Sequence, residues 1–199
     1  MALPATDTFT ASDGTALTTY SASWTYNIGT FAINTNAVYC SAAVNFEAAA
    51  KWTADAFAND QYAQGVCVTE SSSGGSGAAV RCGTGANYYG YYNDTTGSYL
   101  HKNVGGTWTQ IGSNGPSLAV NDVIRLEVEG TTLRPKINGT LVAAIGAQTD
   151  STFSSGSAGI SFWGGNPTAR LDNWEGGNIG GAAVASFIVQ RRGAWRRNR

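Results

Sequence analysis

The chain has 199 residues, a formal net charge of −1 and 13% charged residues, with 26 glycines and four prolines. That length suits one domain with an extension and allows about 70% of the unfolded surface to be buried, so no staple is needed for a core. It contains no run of about eighteen apolar residues, which excludes a membrane-spanning helix of the usual kind. The opening MALPATDTF shows neither the basic nor the apolar region of a secretory leader, so the expectation is a leader already removed or export by another route, such as lysis.

Short alternating segments follow one another in chain order: DTFT, SWTYNI, TFAIN, AVYCSAAVNFE, KWTADAF, YAQGVCVTE, AAVRCG, NYYGYYN, SYLHKNV, TWTQIG, DVIRLEVEG, TLRPKING, TLVAAIG, AGISFWG and ARLDNWEGG. The clearest is VIRLEVEG, with Ile124, Leu126 and Val128 on one face and Arg125, Glu127 and Glu129 on the other. Asn138-Gly139 then supplies the positive φ angles of a two-residue hairpin turn. Only FEAAAKWTADAF looks helical, and its alternation also fits a strand. So many short strands predict two stacked antiparallel sheets, an all-β jelly-roll sandwich over residues 1–182, with an arginine-rich C-terminal arm at 183–199.

The ordered series DTFTASDGTAL, Trp24, NDQYAQGVCV, VRCG, YYGYY, HKNVGGTW, VNDVIRLEVEGTTLRPKINGTLV, SAGISFWGG and ARLDNWEGG resembles the concanavalin A-like lectin/glucanase sandwiches, which include laminin-G-like domains. The resemblance spans residues 7–177. It implies the fold more strongly than any activity, because such sandwiches host lectins, hydrolases, lyases and structural modules.

The glucanases of this superfamily carry Glu-x-Asp-x-Glu or Glu-x-Asp-x-x-Glu on a concave strand, with the outer glutamates about 5.5 Å apart. None of the thirteen acids forms either pattern. Glu127 and Glu129 share a strand face at about 6.5–7 Å, but beside Arg125 they read as a solvated charged face. His101 is the sole histidine and sits in what looks like a surface strand, without a glycine-flanked serine elbow. One histidine and three scattered cysteines do not make a zinc site, and SSSGGSG lacks the lysine and helix of a phosphate loop. No catalytic residue is assigned, and the protein is expected not to be an enzyme. The resemblance also implies, for some members, a structural Ca²⁺ held by an aspartate near the last strand and by backbone carbonyls. Asp172 matches that aspartate; the alternative is that it ties the last strand to the first by hydrogen bonds. The cofactor expectation is thus none, or structural Ca²⁺.

In GVCVTESSSGGSGAAVRCG the midpoint falls between Gly74 and Gly75. A hairpin there would place Cys67 and Cys82 opposite each other, about 4.5–5.5 Å apart, and the choice is between a disulfide and two buried thiols. Cys40 reads as a small core residue.

NYYGYYND puts Tyr88, Gly90 and Tyr92 on one strand face and Tyr89 and Tyr91 on the other. One set belongs to the core. The assignment made from the sequence places Tyr89 and Tyr91 on the open face with Asn93, Asp94, Tyr99 and Trp108, and with Trp163 and Trp174 nearby. Aromatic platforms rimmed by polar groups bind sugars, while the plainer reading is that tyrosine and tryptophan simply suit sheets.

Charge is uneven: residues 1–185 hold seven cations against thirteen acids, and the last fourteen hold five arginines and no acid. Phe187, Val189, Arg191, Arg192, Trp195, Arg196, Arg197 and Arg199 read as a docking arm for other protein subunits, a homo-oligomer included. A solvated tail is the alternative, and nucleic-acid binding is disfavoured because no folded basic face accompanies the five charges. The expectation is a non-catalytic structural module of an extracellular or virion assembly, such as a phage capsid decoration or tail component, with a carbohydrate-binding face and no membrane partner. The alternatives are a free carbohydrate-binding module or glycoside hydrolase of the same fold, and a self-assembling filament or surface-layer subunit.

Overall fold

The computed structural model of the protein describes residues 3–180, so the proposed docking arm, from Phe187 to Arg199, lies outside the described residues. In chain order the elements are β1 (Ala5–Asp7), α1 (Leu17–Tyr20), β2 (Trp24–Ile28), β3 (Thr30–Ile33), β4 (Val38–Ala42), β5 (Glu47–Trp52), β6 (Gln61–Thr69), β7 (Gly75–Cys82) and β8 (Asn87–Asp94). They continue with β9 (Gly97–Val104), β10 (Thr107–Gln110), β11 (Val123–Glu129), β12 (Thr132–Ile137), β13 (Thr140–Leu141), β14 (Gln148–Thr149), β15 (Ser157–Trp163) and β16 (Arg170–Asn178).

Two antiparallel sheets form a sandwich. A nine-stranded sheet runs β13-β12-β11-β6-β16-β4-β3, with β1 added on β16 and β14 on β12. A seven-stranded sheet runs β10-β9-β8-β7-β15-β5-β2. The jelly-roll class expected from the sequence is the one observed. Strand β11 keeps its predicted parity, with Ile124, Leu126 and Val128 fully buried between the sheets. Asn138 and Gly139 take φ of 50° and 78° and join β12 to β13 through the Ile137–Thr140 pair. Within the helix-like FEAAAKWTADAF, Glu47–Trp52 forms β5, and the four-residue α1 has no counterpart in the sequence reading.

Three tryptophans anchor one end of the core. Trp24 meets Trp174 with ring centroids 4.8 Å apart and Trp52 at 5.3 Å. The buried Asp7 carboxylate accepts hydrogen bonds from Trp24 Nε1 at 2.8 Å, from the Tyr20 hydroxyl at 2.7 Å and from the Phe9 amide at 2.8 Å, so β1 is tied to β2 and α1 by a satisfied buried charge. Trp174, placed near the open face by the sequence reading, lies instead in this cluster and donates to Gly159 O at 3.0 Å.

The hairpin expected around Gly74 is not formed. Strand β6 pairs with β11 and β16, whereas β7 pairs with β8 and β15, so residues 70–74 carry the chain from one sheet to the other. Cys67 and Cys82 therefore sit in different sheets, and all three cysteines are free and buried. Burial pushes the thiol of Cys67 up to about 11 and those of Cys40 and Cys82 up to about 12.

Candidate functional site

The outer face of the seven-stranded sheet carries a hollow of about 410 Å³ lined by Ser72, Tyr92, Asp94, Thr96, Tyr99, Trp108, Gln110 and Trp163. Four strands supply it: β8 brings Tyr92 and Asp94, β9 brings Tyr99, β10 brings Trp108 and Gln110, and β15 brings Trp163. The period-2 alternation of each strand turns these side chains to one face, and the β8–β9 register sets Tyr92 directly beside Tyr99. Those two rings lie 5.3 Å apart at 30°, and Tyr92 is nearly parallel to Trp163, at 6.4 Å and 10°. Trp108 is 36% exposed. Asp94 Oδ1 accepts from the Thr96 amide at 2.7 Å, from Thr96 Oγ1 at 2.6 Å and from the Gly97 amide at 3.1 Å, which holds the β8–β9 turn at the hollow's edge.

Asp94, Tyr99 and Trp108 thus meet in one place, while Tyr89, Tyr91 and Asn93 do not join them. Tyr89 and Tyr91 are fully buried between the sheets, so their assignment to the open face is reversed. Their hydroxyls find partners inside: Tyr91 donates to Ser98 Oγ at 3.0 Å, and Tyr89 to Asp150 Oδ1 at 2.7 Å. Asn93 follows the same parity and accepts from the Leu118 amide at 2.7 Å. Tyr92 is the lining residue that the sequence reading missed, and Trp163, which that reading placed only nearby, joins it. The signal for Tyr92 was its parity with Asp94 on the same strand.

Beneath the hollow the floor is polar but closed. His101, expected on a surface strand, is fully buried, its ring stacked 5.8 Å under Trp108 and edge-on to Tyr92 at 5.3 Å. Gly90 explains the break in the tyrosine run: a Cβ there would collide with the His101 ring and, at 2.6 Å, with Ser161 Oγ. Tyr88 donates to Glu47 Oε2 at 2.7 Å, and burial first, then the Glu47 charge, push its hydroxyl well above the usual phenol range, so it stays a donor. His101 Nε2 faces both Glu47 Oε2 at 3.4 Å and Ser161 Oγ at 3.5 Å, while Nδ1 has no partner. A serine–histidine–acid relay requires the acid on one ring nitrogen and the serine on the other, and here both converge on Nε2. The cluster supports the rings above it.

No family model matches the chain, and comparison with curated proteins finds no match. Solved structures do match. The carbohydrate binding module CBM66 from Bacillus subtilis aligns with a TM-score of 0.57 at 19% identity, over 79% of this chain and 93% of that one. A protein of unknown function with a galectin-like fold, also from Bacillus subtilis, aligns at 0.52 and 13% identity, over 84% and 97%. LamA from Z. galactanivorans, in complex with laminaritriose and laminaritetraose, aligns at 0.50 and 10% identity, over 86% and 94%. The likeness shows a two-sheet jelly-roll sandwich shared with these structures. At these identities the likeness carries the architecture and not the activity.

Asp172, the aspartate that the sequence resemblance matched to a calcium ligand, lies on β16 with Oδ1 buried and unpartnered. Burial raises its carboxyl above the ordinary aspartate value, and the nearby Asp7 charge adds to this against the Asn173 amide. Asp7 itself is fully engaged by Trp24, Tyr20 and Phe9. No cluster of three or more His, Cys, Asp or Glu side chains that could hold a metal occurs among the described residues. The unpartnered Asp172 Oδ1 is an oxygen donor of the kind a hard cation takes.

Glu127 stands on the other sheet, paired with Arg125 Nε at 2.7 Å and Lys136 Nζ at 2.8 Å. Partial burial pushes its carboxyl up, but the hydrogen bonds from Lys136 and Arg125 outweigh this and the net direction is downward. Glu129 pairs with Arg134 at 3.0 Å.

Proposed function

We propose that the protein is a non-catalytic carbohydrate-binding module whose ligand lies across the outer face of the seven-stranded sheet. The observation that carries this reading is the hollow lined by Tyr92, Tyr99, Trp108 and Trp163 together with Asp94, Thr96 and Gln110. Flat C–H faces of sugar rings stack on such aromatic surfaces, and polar groups at the edge take the hydroxyls. The carbohydrate named for CBM66 and the laminari-oligosaccharides named for LamA support the same class of ligand. Asp94 is the one carboxylate among the lining residues, whereas glycoside hydrolysis by the usual route needs a facing pair. An extracellular or virion setting, with the basic arm joining the module to other subunits, is the finer part of the proposal. It rests on the sequence: an acidic body, a basic end and few lysines.

Affinity electrophoresis through gels containing cellulose, xylan, mannan or laminarin tests the core of the proposal. The wild type is retarded by at least one polysaccharide, and Trp108→Ala loses about tenfold or more in affinity, about 1.4 kcal/mol, with its melting temperature unchanged. Equal retardation of the two proteins would remove the hollow from the binding site. Calcium is proposed as a structural ion at Asp172. Adding CaCl₂ to chelator-treated protein then raises the melting temperature of the wild type and not of Asp172→Asn; no rise in the wild type rejects the ion.

A further inference from the structure

Just beyond the hollow, the chain turns between β4 and β5. Val44 and Glu47 exchange backbone hydrogen bonds of 2.9 and 3.0 Å around Asn45 and Phe46, whose φ angles are 51° and 68°. A two-residue turn with both central residues at positive φ favours asparagine followed by glycine. The same chain uses that pair at Asn138-Gly139, where φ is 50° and 78°. At residue 46 the glycine is replaced by phenylalanine, a residue that adopts the left-handed region only at a cost.

The side chain that incurs this cost is not hidden. Phe46 is 67% exposed, the most exposed large apolar side chain among the described residues. Phe9, the other aromatic residue at positive φ, is fully buried, so packing accounts for it and does not account for Phe46. The Phe46 carbonyl accepts the Gly164 amide at 2.7 Å, which pins the turn to the end of β15 beside Trp163. The Phe46 ring lies 5.8 Å from Trp163 at 20°, continuing the near-parallel series from Trp163 to Tyr92 and on to Tyr99. A second open hollow of about 530 Å³ flanks it, lined by Ser41, Ala42, Ala43, Asn45, Phe46 and Gly165. Neither hollow is lined by a lysine or arginine, so a polyanion would meet no cation there.

We propose that Phe46 forms an additional subsite on the carbohydrate face. It stacks on further rings of a linear, neutral polysaccharide, so the face reads a chain segment and not a lone terminal sugar. This rests on the carbohydrate reading of the hollow. The row of Phe46, Trp163, Tyr92 and Tyr99, with Tyr92 nearly covered and the other three keeping open area, suits a polymer of repeated flat units, and the retained strain at Phe46 is the cost of placing a ring at the end of that row.

The test is isothermal titration of wild type, Phe46→Ala and Phe46→Gly with oligosaccharides of one to six units from the polysaccharide that retards the wild type. Wild-type affinity is expected to climb with chain length. Both variants lose at least fivefold for the longest oligomers and nothing for the mono- and disaccharide, while Phe46→Gly melts at a higher temperature than wild type because glycine relieves the turn. Wild-type binding that both variants match at every length overturns the subsite and leaves the hollow's role standing. A folded wild type retarded by none of the four polysaccharides overturns both. Sedimentation of the same proteins covers the remaining occupant: a wild-type dimer that Phe46→Ala converts to monomer assigns the ring to self-association and overturns the proposal.

Discussion

The two outer faces of the sandwich are built from strands of the same kind and end in opposite conditions. On the nine-stranded sheet, Arg125 bonds Glu127 and Gln64 and lies 3.6 Å over the Tyr62 ring, Lys136 closes on Glu127, and Tyr62 donates to Glu175. These charges and hydroxyls satisfy one another across neighbouring strands. On the seven-stranded sheet, the polar groups Glu47, Tyr88, His101 and Ser161 are sunk into the floor, and Tyr99, Trp108 and Trp163 are left with area uncovered around the nearly covered Tyr92. A face that pairs its own polar groups offers a ligand little to gain. A face that buries them under aromatic rings leaves stacking surface to be used.

The comparison depends first on which tyrosines of β8 belong to which side. Tyr91→Ala should cost about 3–5 kcal/mol in urea unfolding, as for other buried large-to-small changes. Tyr99→Ala, on the other face, should cost less than about 1 kcal/mol while weakening carbohydrate binding. A mild Tyr91→Ala that abolishes binding would reverse the two sides.

A smaller effect is expected at the rim, where Asp150 receives Lys102 Nζ at 2.6 Å, the Tyr89 hydroxyl and the Thr152 amide. Partial burial pushes its carboxyl up, but the Lys102 pair and the other donors outweigh this and hold it well below the ordinary aspartate value. A depressed folded-state pKa stabilises the fold above the unfolded value of about 4, and that contribution is lost as pH falls below it. Asp150→Asn should therefore cost about 2 kcal/mol at pH 7, and its deficit should shrink on acidification from pH 4 towards pH 2. A deficit that stays constant down to pH 2 would show that the charge contributes nothing.

The smallest effect belongs to the charged face. Glu127→Gln should cost about 1 kcal/mol or less, and less again in high salt, with carbohydrate binding unchanged. Hydrolysis of a β-glucan by wild type that disappears in Glu127→Gln would move the chemistry to the nine-stranded sheet and restore the enzyme reading.

Much of the architecture was legible because its signals are local. VIRLEVEG carries its own parity, and Asn138-Gly139 specifies its own turn. NYYGYYND was ambiguous because tyrosine suits both a core and a wet face. The choice was made by Ser98 and Asp150, which receive the inner hydroxyls, and by His101, which needs the space over Gly90. Cys67 and Cys82 misled for a related reason: a glycine- and serine-rich tip between two strands looks alike whether they pair in one sheet or face each other across two. Trp174 could not be separated from Trp163 by type, since only the packing of β16 against Trp24 and Trp52 draws it inward.

By itself the sequence determined an all-β chain, its strand periodicity, its turn chemistry and a surplus of aromatic rings, because each of these is written in neighbouring residues. The tertiary structure decided which rings are covered, which cysteines are kept apart and where Phe46 stands relative to Trp163. Alternation defines two faces of a strand without saying which is inner, and that sign is set by partners distant in the chain.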